Sequence, residues 1–165
     1  MILVILIIIF ILIAGIILGI LKAKEGTGTQ QEEIPVKRKR LLSEAELSFY
    51  HVLKSIIPDD REINCKCRLE DIMYVENCPK KESYRGKIKS RHIDFVIYNP
   101  QNGYTDFAIE LDDKSHETER QKEIDQFKDQ IFEKINMPLI RIKAKRSYDI
   151  KEIKEIIEKR INNVR

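Results

Sequence analysis

Residues 92–112 read HIDFVIYNPQNGYTDFAIELD, and this stretch decides the fold. His92 to Tyr98 and Tyr104 to Asp112 are both rich in β-branched and aromatic residues, the composition of strands. Between them Asn99-Pro100-Gln101-Asn102-Gly103 gathers the residue types that turns require. The prediction is an antiparallel hairpin. Side chains alternate between the two faces of a strand. On the second arm Phe107, Ile109 and Leu111 therefore share one face, with Asp106, Ala108, Glu110 and Asp112 on the other. On the first arm His92, Asp94 and Val96 lie opposite Ile93, Phe95 and Ile97. If Tyr98 and Tyr104 flank the turn, Asp94 pairs with Ala108, and Glu110 is its diagonal neighbour at about 7–8 Å. A register moved by two residues sets the two acids directly opposite.

Strands this apolar do not carry acids without compensation. Crowded carboxylates repel, so one is protonated or a cation sits among them. Mg²⁺, or Mn²⁺ in its place, takes carboxylate oxygens plus several waters, which suits Asp94, Glu110 and Asp112 with open positions. The residues leave a second reading open, in which Glu110 and Asp112 sit at a frayed strand end, solvated or paired with Arg91 or Lys143.

Before the hairpin, residues 76–91 are polar, with Lys80, Lys81, Arg85, Lys87, Lys89 and Arg91 set against two acids, Glu76 and Glu82. The cluster leads straight into the Asp94 strand and suits contact with nucleic-acid phosphates; a solvated loop is the bland alternative. Earlier still, Ile63, Cys65, Cys67 and Leu69 alternate as in a strand with one buried face. That alternation puts the Cys65 and Cys67 sulfurs on one face, within reach of Cys78. A C-x₂-C pair is missing, so small buried thiols are the simpler reading and zinc is not expected. Leu69 to Val75 fits a short helical turn. Ser43 and Glu46 match a capping box at the start of a helix whose apolar residues Leu47, Tyr50, Leu53 and Ile57 recur until Pro58.

After the hairpin, Asp112 to His116 reads as a loop. A long helix follows with Ile124, Phe127, Ile131 and Ile135 on its apolar face. Pro138 opens a short strand, Leu139 to Lys143. Asp149 starts a last helix carrying Ile150, Ile153, Ile156, Ile157 and Ile161. The order is α-β-β-β-α-β-α. A helix between the third and fourth strands permits a right-handed crossover, which makes those strands parallel. The expected architecture is α/β, with a mixed four-stranded sheet flanked by helices.

Two different polymers make up the 165 residues, which are 42% hydrophobic and 35% charged overall. Residues 1–21, MILVILIIIFILIAGIILGIL, carry no charge. A bilayer core of about 30 Å needs roughly 20 such residues as a helix. No basic residue precedes the run and no A-x-A site follows it, so an uncleaved transmembrane anchor is expected rather than a signal peptide. Lys22, Lys24 and Lys37-Arg38-Lys39-Arg40 follow the span, and the positive-inside rule places the remainder on the cytoplasmic side of the cell membrane, single-pass. Residues 22–40 lack a hydrophobic period and read as a flexible basic linker; residues 41–165 form the domain. The net charge of +3 is too small to name a partner class by itself. Three cysteines without framework spacing exclude a secreted disulfide scaffold.

The segments RHIDFVIYNP, AIELDDKSH and MPLIRI, preceded by a capped helix, resemble a bacterial domain-of-unknown-function family (number 2726) grouped with the PD-(D/E)xK, or restriction-endonuclease-like, superfamily. The resemblance spans roughly residues 41–161. It implies an αβββαβ core and metal-dependent hydrolysis of nucleic-acid phosphodiesters. It further implies that Asp94 and Glu110 are metal-binding acids and that Glu46 matches an acid often found on the first helix, although Glu46 also serves the capping box. His116 matches the Ser-His pair and would donate to a phosphate or leaving group. One departure stands out: the superfamily's lysine two residues after the second acid is Asp112 here. Lys114 or Lys143 could replace it, or Asp112 could be a further metal ligand. The expected function is a membrane-anchored, Mg²⁺-dependent nuclease-like protein. The alternatives are an inactive nuclease-fold module that binds nucleic acid or a protein, and a membrane assembly factor whose charged helices bind other proteins.

Overall fold

The computed structural model describes residues 2–25, 33–112 and 118–163. Its contacts divide the chain into two compact units, Met1–Lys39 and Arg40–Arg165. Among the described residues there are six helices and four strands. The first unit contains helix α1, Ile2–Glu25, of which Ile2–Lys22 is long and apolar enough to cross a membrane. Its apolar side chains from Ile2 to Leu21 are exposed, so the unit offers them no core of its own.

The second unit is α/β. Its elements run α2 (Glu44–Ile56), β1 (Glu62–Arg68), α3 (Leu69–Ile72), α4 (Lys81–Lys89), β2 (His92–Tyr98), β3 (Thr105–Asp112), α5 (Glu119–Lys134), β4 (Leu139–Lys143) and α6 (Ile150–Asn162). The strands form one sheet in the order β1-β2-β3-β4. β1, β2 and β3 are antiparallel neighbours, while β3 and β4 are parallel across the α5 crossover, as the sequence order predicts. The polar segment 76–91 is not simply a loop: α4 forms within it, because Ile88 provides a residue to bury.

Helix α2 begins with the expected capping box. Ser43 Oγ accepts the Glu46 N–H at 3.3 Å, and the Ser43 N–H donates to Glu46 Oε2 at 2.7 Å. α2 and α6 cover one side of the sheet. There Phe49, Leu53, Ile153 and Ile157 pack on Phe95, Ile97, Phe107, Ile109, Ile140 and Ile142. The other side buries Leu69, Ile88 and Phe132 against Ile93, Val96, Ala108 and Leu139. The apolar stripes differ in detail from the periodicity. Phe49 rather than Leu47 fills the core under α2, and Ile150, Ile156 and Ile135 are exposed. On α5 the fully buried line is Lys128 and Phe132, flanked by Phe127 and Ile131.

Two features of β1 and β2 depart from regular alternation. Ile63 and Cys65 pack with Phe95 and Ile97 on the α2 side, but Cys67 and Ile93 pack on the α5 side. Both strands thus change face at the level of Lys66 and Asp94. Ile93 does not share a face with Phe95, and the Cys65 and Cys67 sulfurs lie on opposite faces, where one metal ion cannot join them. Lys66 has φ 57°, the left-handed region, which costs a side-chain-bearing residue about 1 kcal/mol.

The register of the hairpin also differs from the flanking-tyrosine pairing. Tyr98 pairs with Thr105, and a bulge between Ile97 and Tyr98 brings Ile97 level with Phe107. Gly103, at φ 74°, closes the turn by donating its N–H to Asn99 O at 2.8 Å. Ala108 consequently pairs with Val96 rather than Asp94, and Phe95 pairs with Ile109. Continued by one step, this register places Asp94 level with Glu110, the two-residue shift.

Candidate functional site

Asp94 occupies the face change on β2. Its Oδ1 accepts from Lys66 Nζ at 2.7 Å, and its Oδ2 accepts the backbone N–H of Leu111 at 3.0 Å. The second bond joins the Asp94 side chain to the backbone next to Glu110. Lys66 Nζ also donates to Glu46 Oε1 at 2.5 Å. Glu46 therefore uses one oxygen for the helix cap and the other for the sheet. Burial opposes ionisation of Glu46, but the Lys66 ammonium and the Ser43 bonds outweigh it and hold its carboxyl below the ordinary range. Lys66 mirrors this: burial disfavours its charge, and the bonds to Asp94 and Glu46 raise its pKa regardless.

Glu110 points towards α5, as the alternation along β3 predicts. It is only 6% exposed. Its Oε1 pairs with Lys128 Nζ, and its Oε2 lies 2.9 Å from Arg141 Nη1. Glu110 and Asp112 are thus neither frayed nor paired with Arg91 or Lys143. Arg141 stands beside Glu110 in the parallel register and gathers further acids: Asp112 and Asp125 at 3.3 Å, and Asp129 at 3.2 Å. Burial pushes the Glu110 carboxyl above its ordinary range in spite of Lys128 and Arg141, and the Asp94 charge adds to the effect.

The sequence reading placed Asp94, Glu110, Asp112 and Glu46 in the site; in the fold Lys66 joins Glu46 to Asp94, Arg141 joins Glu110 to Asp112, and the Asp94 bond to the Leu111 N–H lies between the two pairs. Lys143 is exposed, level with Asp112. His116 and Lys114 lie outside the described residues. The reading missed Lys66, Lys128 and Arg141. Two of these had a signal. Ile124, Lys128 and Phe132 recur every fourth residue, so Lys128 falls on the buried stripe of α5. Arg141 interrupts the apolar run of β4 on the face that meets Glu110. The left-handed backbone of Lys66 has no local signature in EINCKCRL.

The basic segment borders this site through α5. Lys87 Nζ lies 5.4 Å from the centre of the Phe127 ring, and the Arg91 guanidinium carbon lies 5.1 Å from it. Arg85 pairs with Glu70 at 2.8 Å. Lys80, Lys87 and Lys89 are exposed.

The donor set suits a hard divalent cation in kind, because it offers carboxylate oxygens from two neighbouring strands. Among the described residues no three His, Cys, Asp or Glu side chains converge on one point. Mg²⁺ needs only one or two carboxylates when waters and substrate phosphates complete its shell. Asp94 and Glu110 would hold it, displacing ammonium groups that ride on flexible stems.

A family model described as a protein of unknown function (DUF2726) matches residues 38–161. No curated protein and no solved structure matches the chain.

Proposed function

We propose that this chain, which belongs to the DUF2726 family of proteins of unknown function, is a membrane-anchored nuclease-like protein that uses a divalent cation to hydrolyse nucleic-acid phosphodiesters. One observation carries the reading: the Asp94 carboxylate on β2 bonds the β3 backbone beside Glu110. Two acids on adjacent strands, and an order α2-β1-α3-α4-β2-β3-α5-β4 that becomes αβββαβ once the short α3 and α4 are set aside, support the restriction-endonuclease-like core that the resemblance implies. A bound Mg²⁺ or Mn²⁺ would supply Lewis acidity and lower the pKa of a coordinated water. Asp94 and Glu110 would position that cation. Exposed Lys80, Lys87 and Lys89, with Lys81, would attract the nucleic-acid backbone to the α4 side. Helix α1 would hold the enzyme at a membrane, and the basic residues after it favour a cytoplasmic domain.

A second reading is favoured by a different observation. Both Glu110 oxygens already have cationic partners, and residue 112 is an acid instead of a lysine. On this reading the network is structural, and the domain binds nucleic acid or protein without cleaving anything.

The full chain in detergent micelles separates the two. Mn²⁺ is titrated by calorimetry into the parent, Asp94→Asn and Glu110→Gln, and the same samples are incubated with labelled single- and double-stranded DNA and RNA. The nuclease reading expects binding and cleavage in the parent and loss of both in each variant. A parent that takes up no Mn²⁺ and cleaves none of the four substrates leaves the second reading.

A further inference from the structure

Between the membrane-length helix α1 and the domain, residues 34–41 read IPVKRKRL. The stretch forms neither helix nor strand, and every residue in it is exposed. Pro35 fixes its own φ and disfavours helical backbone at Ile34. The Val36 N–H donates to Ile34 O at 2.8 Å, closing a tight turn on Pro35. One position after the stretch, Leu42 packs against the core under α2 and α6, and Ser43 then caps α2. The domain thus takes up Leu42 and leaves its neighbours outside. Ile34, Val36 and Leu41 are 75%, 77% and 68% exposed.

Four consecutive cations, Lys37 to Arg40, lie between these aliphatic side chains. A topology signal needs the positive charge but not the aliphatic groups. A nucleic-acid backbone would pair with the cations and leave Ile34, Val36 and Leu41 in water. An anionic bilayer surface takes both: its headgroups meet the four cations, and the acyl boundary just beneath receives the aliphatic side chains. Neighbouring acids do not cancel the run. Arg40 pairs with Glu44 at 3.4 Å, but those side chains are 75% and 91% exposed and such a pair is weak. Glu32 and Glu33 stand on the far side of Pro35 from the cations. The chain from Lys22, where the membrane-length segment ends, to Lys37 spans at most about 55 Å. That tether keeps the run near the surface, so docking there costs less freedom than it would for a separate molecule.

We propose that residues 34–41 dock on the anionic face of the bilayer that α1 spans, with Lys37, Arg38, Lys39 and Arg40 at the headgroups and Ile34, Val36 and Leu41 in the interface. This rests on reading α1 as a membrane anchor and is independent of whether the domain cleaves nucleic acid.

The chain has no tryptophan, so Val36→Trp gives a single fluorescent reporter at an exposed position. The full chain carrying it is reconstituted in vesicles of phosphatidylcholine, and in vesicles with about a third of that lipid replaced by phosphatidylserine. The neutral vesicles control for tryptophan's own preference for the interface. In the anionic vesicles emission shifts to the blue, and quenching by acyl-brominated lipid rises at least about threefold; about 1 M NaCl, where the Debye length is about 3 Å, reverses both. Replacing all four cations by serine abolishes the response, since each contributes about fivefold to contact with an anionic surface. Circular dichroism checks that the serine variant folds, and the salt reversal tests the parent without it. Equal quenching in both vesicle types, a response that survives salt, or one that survives the serines overturns the proposal. So does a response seen only when DNA or RNA is added to neutral vesicles, which assigns the run to nucleic acid. A chain stripped from the vesicles by an alkaline wash removes the anchor reading and the proposal with it. A chain that stays anchored and shows no anionic response removes the proposal alone.

Discussion

Lys66 and Asp94 meet at 2.7 Å where β1 and β2 both change the face on which their side chains pack. The left-handed backbone of Lys66 and the shared ammonium belong to one local arrangement. Its strain persists because Glu46 and Asp94 together hold the side chain.

Lys66→Met is expected to destabilise the domain by about 2 kcal/mol, because it leaves two partly buried carboxylates facing each other without a cation. Adding Asp94→Asn to that variant should recover part of the loss. Urea unfolding followed by near-ultraviolet circular dichroism measures both. Equal midpoints for the single and double variants would show that the two residues are not coupled.

Glu46 sets an acid limb of stability. Its folded-state carboxyl lies below the ordinary value, so its contribution is present above the unfolded pKa and is lost as pH falls through the folded one. Glu46→Gln should therefore flatten the fall in Tm below about pH 4.5, the region of an unperturbed glutamate. Parallel Tm curves for parent and variant across that range would exclude the assignment.

Glu110 and Lys128 are expected to be strongly coupled, since removing either partner strands the other in a buried site. A double-mutant cycle with Glu110→Gln and Lys128→Met should give an interaction of about 1.5 kcal/mol or more. Arg141 limits the damage in the Lys128 variant because it still pairs with Glu110 at 2.9 Å. Additive single effects in urea would show instead that Arg141 alone neutralises Glu110.

For the basic helix, replacing Lys80, Lys81 and Lys89 together by serine should weaken nucleic-acid binding similarly for all sequences. The salt dependence of log K should become shallower by roughly 2 to 3. Stability should change by no more than about 0.5 kcal/mol, as expected for surface positions. Fluorescence anisotropy at several salt concentrations reads the slope, and an unchanged slope would place the phosphate contacts elsewhere.

What the sequence by itself determined was everything encoded by short-range period and local hydrogen bonding. The Ser43 cap, the hairpin arms and the alternation that sends Phe107, Ile109 and Leu111 one way and Glu110 the other follow from residues within a few positions of one another, and the parallel return of β4 follows from the order of elements through the α5 crossover. Only the tertiary structure decided which charges meet. Lys66 and Asp94 are 28 positions apart, Glu110 and Lys128 are 18, and their contact depends on how α2 and α5 settle on the two faces of the sheet. The bulge between Ile97 and Tyr98 shifted the acids into line, and the left-handed turn of Lys66 carried two cysteines to opposite faces. Periodicity specifies which face a side chain takes on a regular strand; it holds no record of where packing against another element makes the strand irregular.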